Sequence, residues 1–329
     1  MTSGTSATPS TTADTGLALL RVRGDDAIGF LHGQLSSDVR ALSPGEGQCW
    51  SYNSPKGRML ANGVLWRAPA GAPEPSITLL LARDLADAVR RRLAMFVLRA
   101  KVVVDDASEA SALIGIAGDG NSAAVAAAFG VAPSPARAVP LRDGATVFML
   151  PDRRIVVVSA LADAPMLNAA LARHVSQSDN DAWRRAGIEA GVATITAATS
   201  DLFVPQMVNW DLVGGVSFRK GCYPGQEIVA RMQYLGRLKE RLFAFHTPAL
   251  DAAPGMRVYS RTFDVGQACG TVVNAAPDAT RGTVLLAVVQ WSAVEAADVV
   301  LGTPDGPALQ RRALPYDIPV SAPAPRAGG

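Results

Sequence analysis

The chain is poor in cysteine, in charge and in long apolar runs, and each shortage removes a class of function. Its 329 residues include three cysteines, Cys49, Cys222 and Cys269. They are odd in number, far apart and without a CxxC pair. That spacing argues against a disulfide framework, and it does not supply the four thiolates that a self-contained iron–sulfur cluster usually takes. His32, His174 and His246 are as scattered. Charged residues make up 18% of the chain and the formal net charge is +2. Net charge therefore gives no case for nucleic acid or anionic membrane as the main partner, although it says nothing about how charge is distributed. No apolar run reaches the roughly 20 residues of a spanning helix. Met1–Gly16 lacks the basic start and apolar core of a signal peptide and reads as a disordered tail. These absences predict a soluble, cytoplasmic protein with no permanent metal, no membrane partner and no direct nucleic-acid partner.

What the chain does have is material for a core. It is 49% hydrophobic, enough for two or three domains at this length. Leu17–Arg23 alternates as a strand does, and Asp25 or Asp26 can cap a helix running to about Val39. Strands follow near Gly47–Asn53 and Arg58–Arg67, joined by the turn Ser54-Pro55-Lys56-Gly57. Another strand falls near Ile77–Ala82, then a helix capped by Asp84, then a short strand at Lys101–Val104. A second unit repeats the mixture: strand Leu113–Ala117, helix Ser122–Phe129, hairpin Thr146–Leu150 with Arg154–Ser159, and a helix near Pro165–Val175. The pattern predicts an α+β fold, a pseudo-repeated antiparallel sheet/helix body over 17–240. Short β runs broken by Pro and Gly predict a small all-β barrel over 241–318, followed by a flexible tail at 319–329. Gly118-x-Gly120-x-x-Ala123 follows a strand and opens a helix, as in a dinucleotide site, but the hairpin downstream argues against that fold. Arg90-Arg91-Arg92 reads as a solvated helix face.

The most informative stretch is Phe203-Val204-Pro205-Gln206, then Asn209, then Gly214 through Gly225-Gln226-Glu227. Gly221 and Gly225 flank Cys222-Tyr223-Pro224, so backbone can turn sharply or approach a ligand. A helix can start at Gly225 and stop at Gly236. Glu227 and Arg231 stand four apart on it, in the favourable order for an ion pair. Arg219, Lys220 and a helix N-terminus all favour a thiolate at Cys222. On chemistry alone the alternative is a Gly/Pro turn around an inert, buried cysteine.

This segment resembles the KGCY-x-GQE signature of the YgfZ family, within the superfamily named after the glycine-cleavage T-protein. Ile188-Glu189-Ala190-Gly191 is similar to the family's IEAG element, and Phe203-x-Pro205-Gln206 falls where the family has it. The likeness spans about Leu17 to Pro319 and is strongest over Ile188–Gly236. It implies a GcvT-like folate-binding fold with tetrahydrofolate or another folate at the centre of the α+β body. Glu189 matches the carboxylate that holds the pterin ring in the folate enzymes; paired N–H bonds to a carboxylate contribute about 1.5–3 kcal/mol. Tyr223, Gln226, Glu227 and Arg231 complete the candidate cofactor-binding set, Arg231 either taking the folate's carboxylate tail or pairing with Glu227. Cys222 and Lys220 are the candidate reactive pair.

One departure from the superfamily bears on activity. Its aminomethyltransferases carry an Asp-Asp pair where Gly57–Gly63 aligns, and Ala61-Asn62 stands in its place here. Neither residue can act as an ionised acid or base. The expectation is therefore a folate-binding accessory factor for assembly or repair of iron–sulfur enzymes, including radical enzymes that modify tRNA. Cys222 would be its key thiol, either lending one ligand to a transient cluster or responding to oxidants, and its partners iron–sulfur client or carrier proteins. The alternatives are a tetrahydrofolate-dependent one-carbon transferase or demethylase, and a folate-binding module in which Cys222 is structural.

Overall fold

A computed structural model describes residues 9–72, 74–177, 180–234, 238–278 and 281–319. The chain forms three sheets with helices packed over them. The first unit runs strand Leu17–Arg23, helix Ala27–Gln34, strands Gly47–Asn53, Met59–Arg67 and Ser76–Ala82, helix Ala86–Met95 and strand Val103–Asp106. The second runs strand Ser111–Ala117, helix Asn121–Phe129, strands Arg137–Pro140, Thr146–Met149 and Ile155–Ala160, helix Ala164–Leu171 and strand Ser176–Gln177. Both follow the order strand, helix, three strands, helix, strand. In both sheets the first strand pairs with the fourth, so the expected pseudo-repeat holds at the level of topology.

The repeat is broken in one place, and the break corrects the reading of the N-terminus. Ser10–Thr12, inside the stretch expected to be a disordered tail, is a strand. It lies between the first and last strands of the second sheet, antiparallel to Ser111–Ala117 and parallel to Ser176–Gln177. A last strand of two residues cannot cover the edge of its neighbour, and Thr11 and Thr12 fill that place, both buried. The tails expected at the first eight residues and at 320–329 lie outside the described residues.

Two local expectations also change. The first helix stops at Gln34 because Leu35 turns extended and bridges Tyr52, while the Ser36 N–H donates to the Ser51 carbonyl at 2.9 Å. Asp26 makes no capping bond to that helix; its carboxylate accepts from the Lys101 N–H at 2.8 Å. Asp84 likewise accepts from the Ala197 N–H at 2.9 Å instead of capping. In both places a tertiary backbone donor outcompetes the local one.

The third sheet, built from Glu240–Thr247, Arg257–Ser260, Ala268–Pro277, Thr283–Gln290, Val299–Leu301 and Gln310–Arg312, is an antiparallel half-barrel with its own apolar core. The first two sheets meet where Gly47 approaches the second unit. Its N–H donates to the Ala136 carbonyl, and a Cβ there would stand 2.7 Å from the Phe148 ring. Helix Asn180–Glu189 packs against both the second sheet and the half-barrel. The largest core gathers side chains from the first sheet, this helix and the segment after it, Trp183, Ile188, Phe203, Trp210, Val229 and Leu242 among them. The signature segment is thus bolted to the middle of the molecule.

Candidate functional site

The anchor of the site is a buried polar frame. Arg241 is nearly sealed, and its guanidinium grips Asp211 with two bonds of 2.7 and 3.1 Å while donating to the Gln206 carbonyl at 2.7 Å. Gln206 Nε2 donates to the Val229 carbonyl at 2.7 Å. Asn209, at φ 58, a left-handed conformation that Asn tolerates, donates to the Leu242 carbonyl at 2.9 Å. Tyr316 reaches in from the C-terminal segment, and its hydroxyl donates to the Gly191 carbonyl at 2.7 Å. A Cβ on Gly191 would meet Leu314 and the Tyr316 ring at 2.8–2.9 Å. The glycine that ends the Ile-Glu-Ala-Gly element is therefore the seat of this C-terminal strap.

The Cys222 loop rises from that frame. Gly225 has φ +76, and a Cβ there would lie 2.4 Å from the Ser54 carbonyl and 2.6 Å from the Gly57 Cα. Gly57, itself at φ +72, packs under Ile228. Two glycine turns, the one read from Ser54-Pro55-Lys56-Gly57 and the one before helix Gln226–Tyr234, are thus pressed together. Val229, fully buried, roots that helix; burying such a side chain is worth about 1.5–3 kcal/mol.

Lys220 threads back into the first unit. Its ammonium donates to the carbonyls of His32 and Leu35 at the end of helix Ala27–Gln34, where unpaired carbonyls and the helix dipole favour a cation. It also lies 4.8 Å from the centre of the Tyr223 ring. Burial pulls its pKa down to about 8, with Arg40 pulling the same way and Asp38 and Cys222 opposing. Beneath it is buried His32, with Nδ1 3.1 Å from Asp38 Oδ1. Burial and the neighbouring Lys220 lower the His32 pKa, against Asp38. Burial also pushes the Tyr223 phenol up to about 12. Gln226 closes the loop: its Oε1 accepts from the Tyr223 N–H at 3.2 Å, and its Nε2 lies 3.9 Å from Cys222 Sγ. Cys222 itself is exposed.

The other cysteines differ. Cys49 and Cys269 are both buried, and burial pushes their thiols up to about 12 and about 11. Among the described residues no three His, Cys, Asp or Glu side chains are placed to hold a metal ion, and no helix is long and apolar enough to cross a membrane.

The structure brings Lys220, Cys222, Tyr223 and Gln226 together and places Glu189 elsewhere. Two cavities flank helix Asn180–Glu189. One, of about 510 Å³, opens between the three sheets and is lined by Leu17, Trp183, Ile188, Thr194 and Asn274. The other, of about 620 Å³, is lined by Gly118–Ala123, Arg153, Arg185 and Glu189. Cys222 lines neither. Glu189 is exposed at the end of its helix, yet the cavity walls strip part of its hydration and hold its carboxyl above the usual range, against Arg185 and Arg312. Glu227 and Arg231 are exposed and, among the described residues, make no ion pair with each other or with any other side chain. The pairing, one of the two roles open to Arg231, is absent because two exposed side chains gain little from holding one geometry in water.

Asn62, set against the superfamily's acidic pair by the resemblance, is held by backbone on both sides. It is buried, its Nδ2 donates to the Ala193 carbonyl at 2.8 Å, and its Oδ1 accepts from the Ile195 N–H at 2.8 Å. An amide satisfies both backbone groups, whereas a carboxylate has no proton to donate. Sequence reasoning missed His32, Asp38, Arg40 and the Gly57–Gly225 contact, because each comes from a distant segment; the turn at Gly57 was the only local signal.

Fold and site together define a protein of the aminomethyltransferase T architecture with an exposed thiol on a glycine loop. Glycine cleavage system aminomethyltransferase T from Bartonella henselae superposes with a TM-score of 0.72 at 16% identity, covering 94% of this chain and 87% of that one. No protein-family model matches the chain. "tRNA-modifying protein YgfZ" of Enterobacter sp. (strain 638) is 31% identical over 306 residues, 92% of this chain and 91% of that protein. The protein of the same name from Klebsiella pneumoniae (strain 342) is 30% identical over 304 residues, and that from Yersinia pestis (strain Pestoides F) is 34% identical over 228. The chain belongs to the YgfZ family.

Proposed function

We propose that this protein is a folate-binding accessory factor for the assembly or repair of iron–sulfur enzymes, tRNA-modifying enzymes among them, and that Cys222 is its working thiol. One observation carries the reading. Of three cysteines, Cys222 alone is exposed, and it is held by a loop whose neighbours are the Lys220 ammonium and the Gln226 amide. A thiol kept for packing would be buried, as Cys49 and Cys269 are. A cluster passing through Cys222 is cargo and takes its remaining ligands from its donor or acceptor.

The residues present fit a folate. The Glu189 cavity, about 620 Å³, has the size of a small-molecule site. Glu189 offers a carboxylate to an aminopyrimidine edge, and Arg153 and Arg185 offer cations to a carboxylate tail. Bound there, the folate would supply one-carbon or redox chemistry. Asn62, engaged at both amide atoms with backbone, supports the accessory role over aminomethyl transfer. The relatives' name supports the link to tRNA modification.

The test is complementation of a bacterium lacking its own YgfZ-type protein, with tRNA methylthiolation as the readout. Cys222→Ser and Glu189→Gln should each abolish rescue at wild-type levels of folded protein. Full rescue by Cys222→Ser would remove the thiol from the function.

A further inference from the structure

Among the described residues two arginines are buried, Arg241 and Arg154, and they are held differently. Arg241 bonds both Asp211 oxygens, the Gln206 carbonyl and Asn209 Oδ1, and it lines neither cavity. Arg154 is less fully engaged. Its Nε donates to Asp152 Oδ2 at 2.9 Å, its Nη2 lies 2.7 Å from the same oxygen, and its Nη1 donates to the Trp183 carbonyl at 3.2 Å. The guanidinium carbon stands 4.4 Å from the centre of the Trp183 ring. A guanidinium carries five N–H groups, and these contacts occupy three of them. Arg154 is also the one described residue that lines both cavities beside helix Asn180–Glu189. The helix is shaped around it: a Cβ on Gly187 would stand 2.9 Å from the guanidinium carbon. Glycine costs a helix stability, and a buried ion pair gains little over an apolar wall of the same volume. Separating two cavities does not by itself explain why a cation with spare donors is kept between them.

We propose that Arg154 is a ligand-binding residue, whose two remaining N–H groups hold an oxygen acceptor, carbonyl or carboxylate, of the molecule in the Glu189 cavity. That this molecule is a folate rests on the function proposed above. Arg154 complements the rest of the cavity: Glu189 accepts hydrogen bonds, whereas Arg154 donates them. Arg185 also borders the cavity but spends its Nη1 on the Pro277 carbonyl at 2.9 Å, and Arg153 is exposed to water. Asp152, its side chain nearly sealed, already balances the Arg154 charge. What Arg154 adds is therefore direction. Its planar N–H groups are shielded from water and fixed by Asp152, by the Trp183 ring and by the helix at Gly187. A molecule lacking the acceptor leaves those donors buried and unpaired, so the residue selects as well as binds.

Calorimetry on the full chain, under argon, measures the affinity for tetrahydrofolate and for tetrahydropteroate, which lacks the glutamate. Arg154→Lys keeps a charge beside Asp152 but not the planar fork, and it should weaken tetrahydrofolate binding roughly ten- to a hundredfold. Gly187→Ala, which drives a Cβ into the guanidinium, should act in the same direction. Asp152→Asn/Arg154→Gln removes both charges together and leaves no buried ion unpaired. It should bind as poorly, and it carries the test if Arg154→Lys does not fold. Arg83→Ala, on the other cavity alone, should bind as the wild type does. A loss confined to tetrahydrofolate places the acceptor on the glutamate; an equal loss for tetrahydropteroate places it on the pterin or benzoyl part. Wild-type affinity for both compounds in Arg154→Lys and in the double variant overturns the role of Arg154 and leaves the folate reading intact. A wild type that binds neither compound overturns the folate reading, and the role of Arg154 with it.

Discussion

Two neighbouring parts of one segment have opposite characters. Residues 203–216, with Arg241 and Tyr316, form a frame in which buried polar groups meet: Arg241 with Asp211, Gln206 with Val229, Asn209 with Leu242, Tyr316 with Gly191. Residues 217–231 form a tip whose exposed charges, Arg219, Glu227 and Arg231, have no ionic partner among the described residues. Buried polar groups must be satisfied or they cost stability, whereas exposed ones can be left open for a ligand. The contrast teaches that the signature has two physical jobs. Its upstream half holds position, and its downstream half is kept chemically free.

If that division is right, the same class of substitution should act on different observables in the two halves. The largest loss of stability is expected from Asp211→Ala, which leaves the Arg241 guanidinium buried without its carboxylate. A broken buried pair costs about 3–5 kcal/mol, to be measured as a shift in the denaturant midpoint. A comparable loss from Arg231→Ala would erase the distinction. Asn62→Asp comes next. It sets a carboxylate against the Ala193 carbonyl in a buried site, and about 1–3 kcal/mol should be lost. It should not create aminomethyl transfer, because that oxygen still faces the Ile195 N–H. Detectable product from tetrahydrofolate and an amine donor would show that Asn62 had merely replaced a reactive carboxylate.

Most of the element order was legible because each unit repeats period-two strands bounded by Gly and Pro, and those patterns are local; strands Arg137–Pro140 and Ser176–Gln177 were too short to stand out. The YgfZ resemblance was legible because Lys220-Gly221-Cys222-Tyr223 and Gln226-Glu227 are contiguous. The Ser10–Thr12 strand was not, since a three-residue run of Ser and Thr becomes a strand only where another sheet leaves a place for it. The pairing of Glu227 with Arg231 failed because helix spacing permits contact without enforcing it. Nor could sequence show that Lys220 points back to the end of helix Ala27–Gln34, a contact 188 residues away along the chain.

Lys220 joins the two halves, and its titration is the finest probe of the division. It belongs by sequence to the open tip but is half-buried, like the frame, with its ammonium on the carbonyls of His32 and Leu35. Its pKa is lowered from 10.5 to about 8, first by burial. The unfolded chain therefore binds more protons than the folded one between about pH 8 and the ordinary lysine value, and stability attributable to this group rises with pH across that window. Below pH 8 both states carry the charge, and the cost of burying it is fully present. The slope should be small, because the group keeps part of its exposure to water. Denaturant midpoints of the wild type and Lys220→Met, taken every half unit from pH 7 to 10.5, should diverge below pH 8 and converge above it, with Lys220→Met the flatter of the two. An upward slope that persists in Lys220→Met would assign the titration to another group. A wild-type profile that falls through the window would show that the helix-end carbonyls hold the proton more strongly than burial expels it, placing Lys220 with the buried frame.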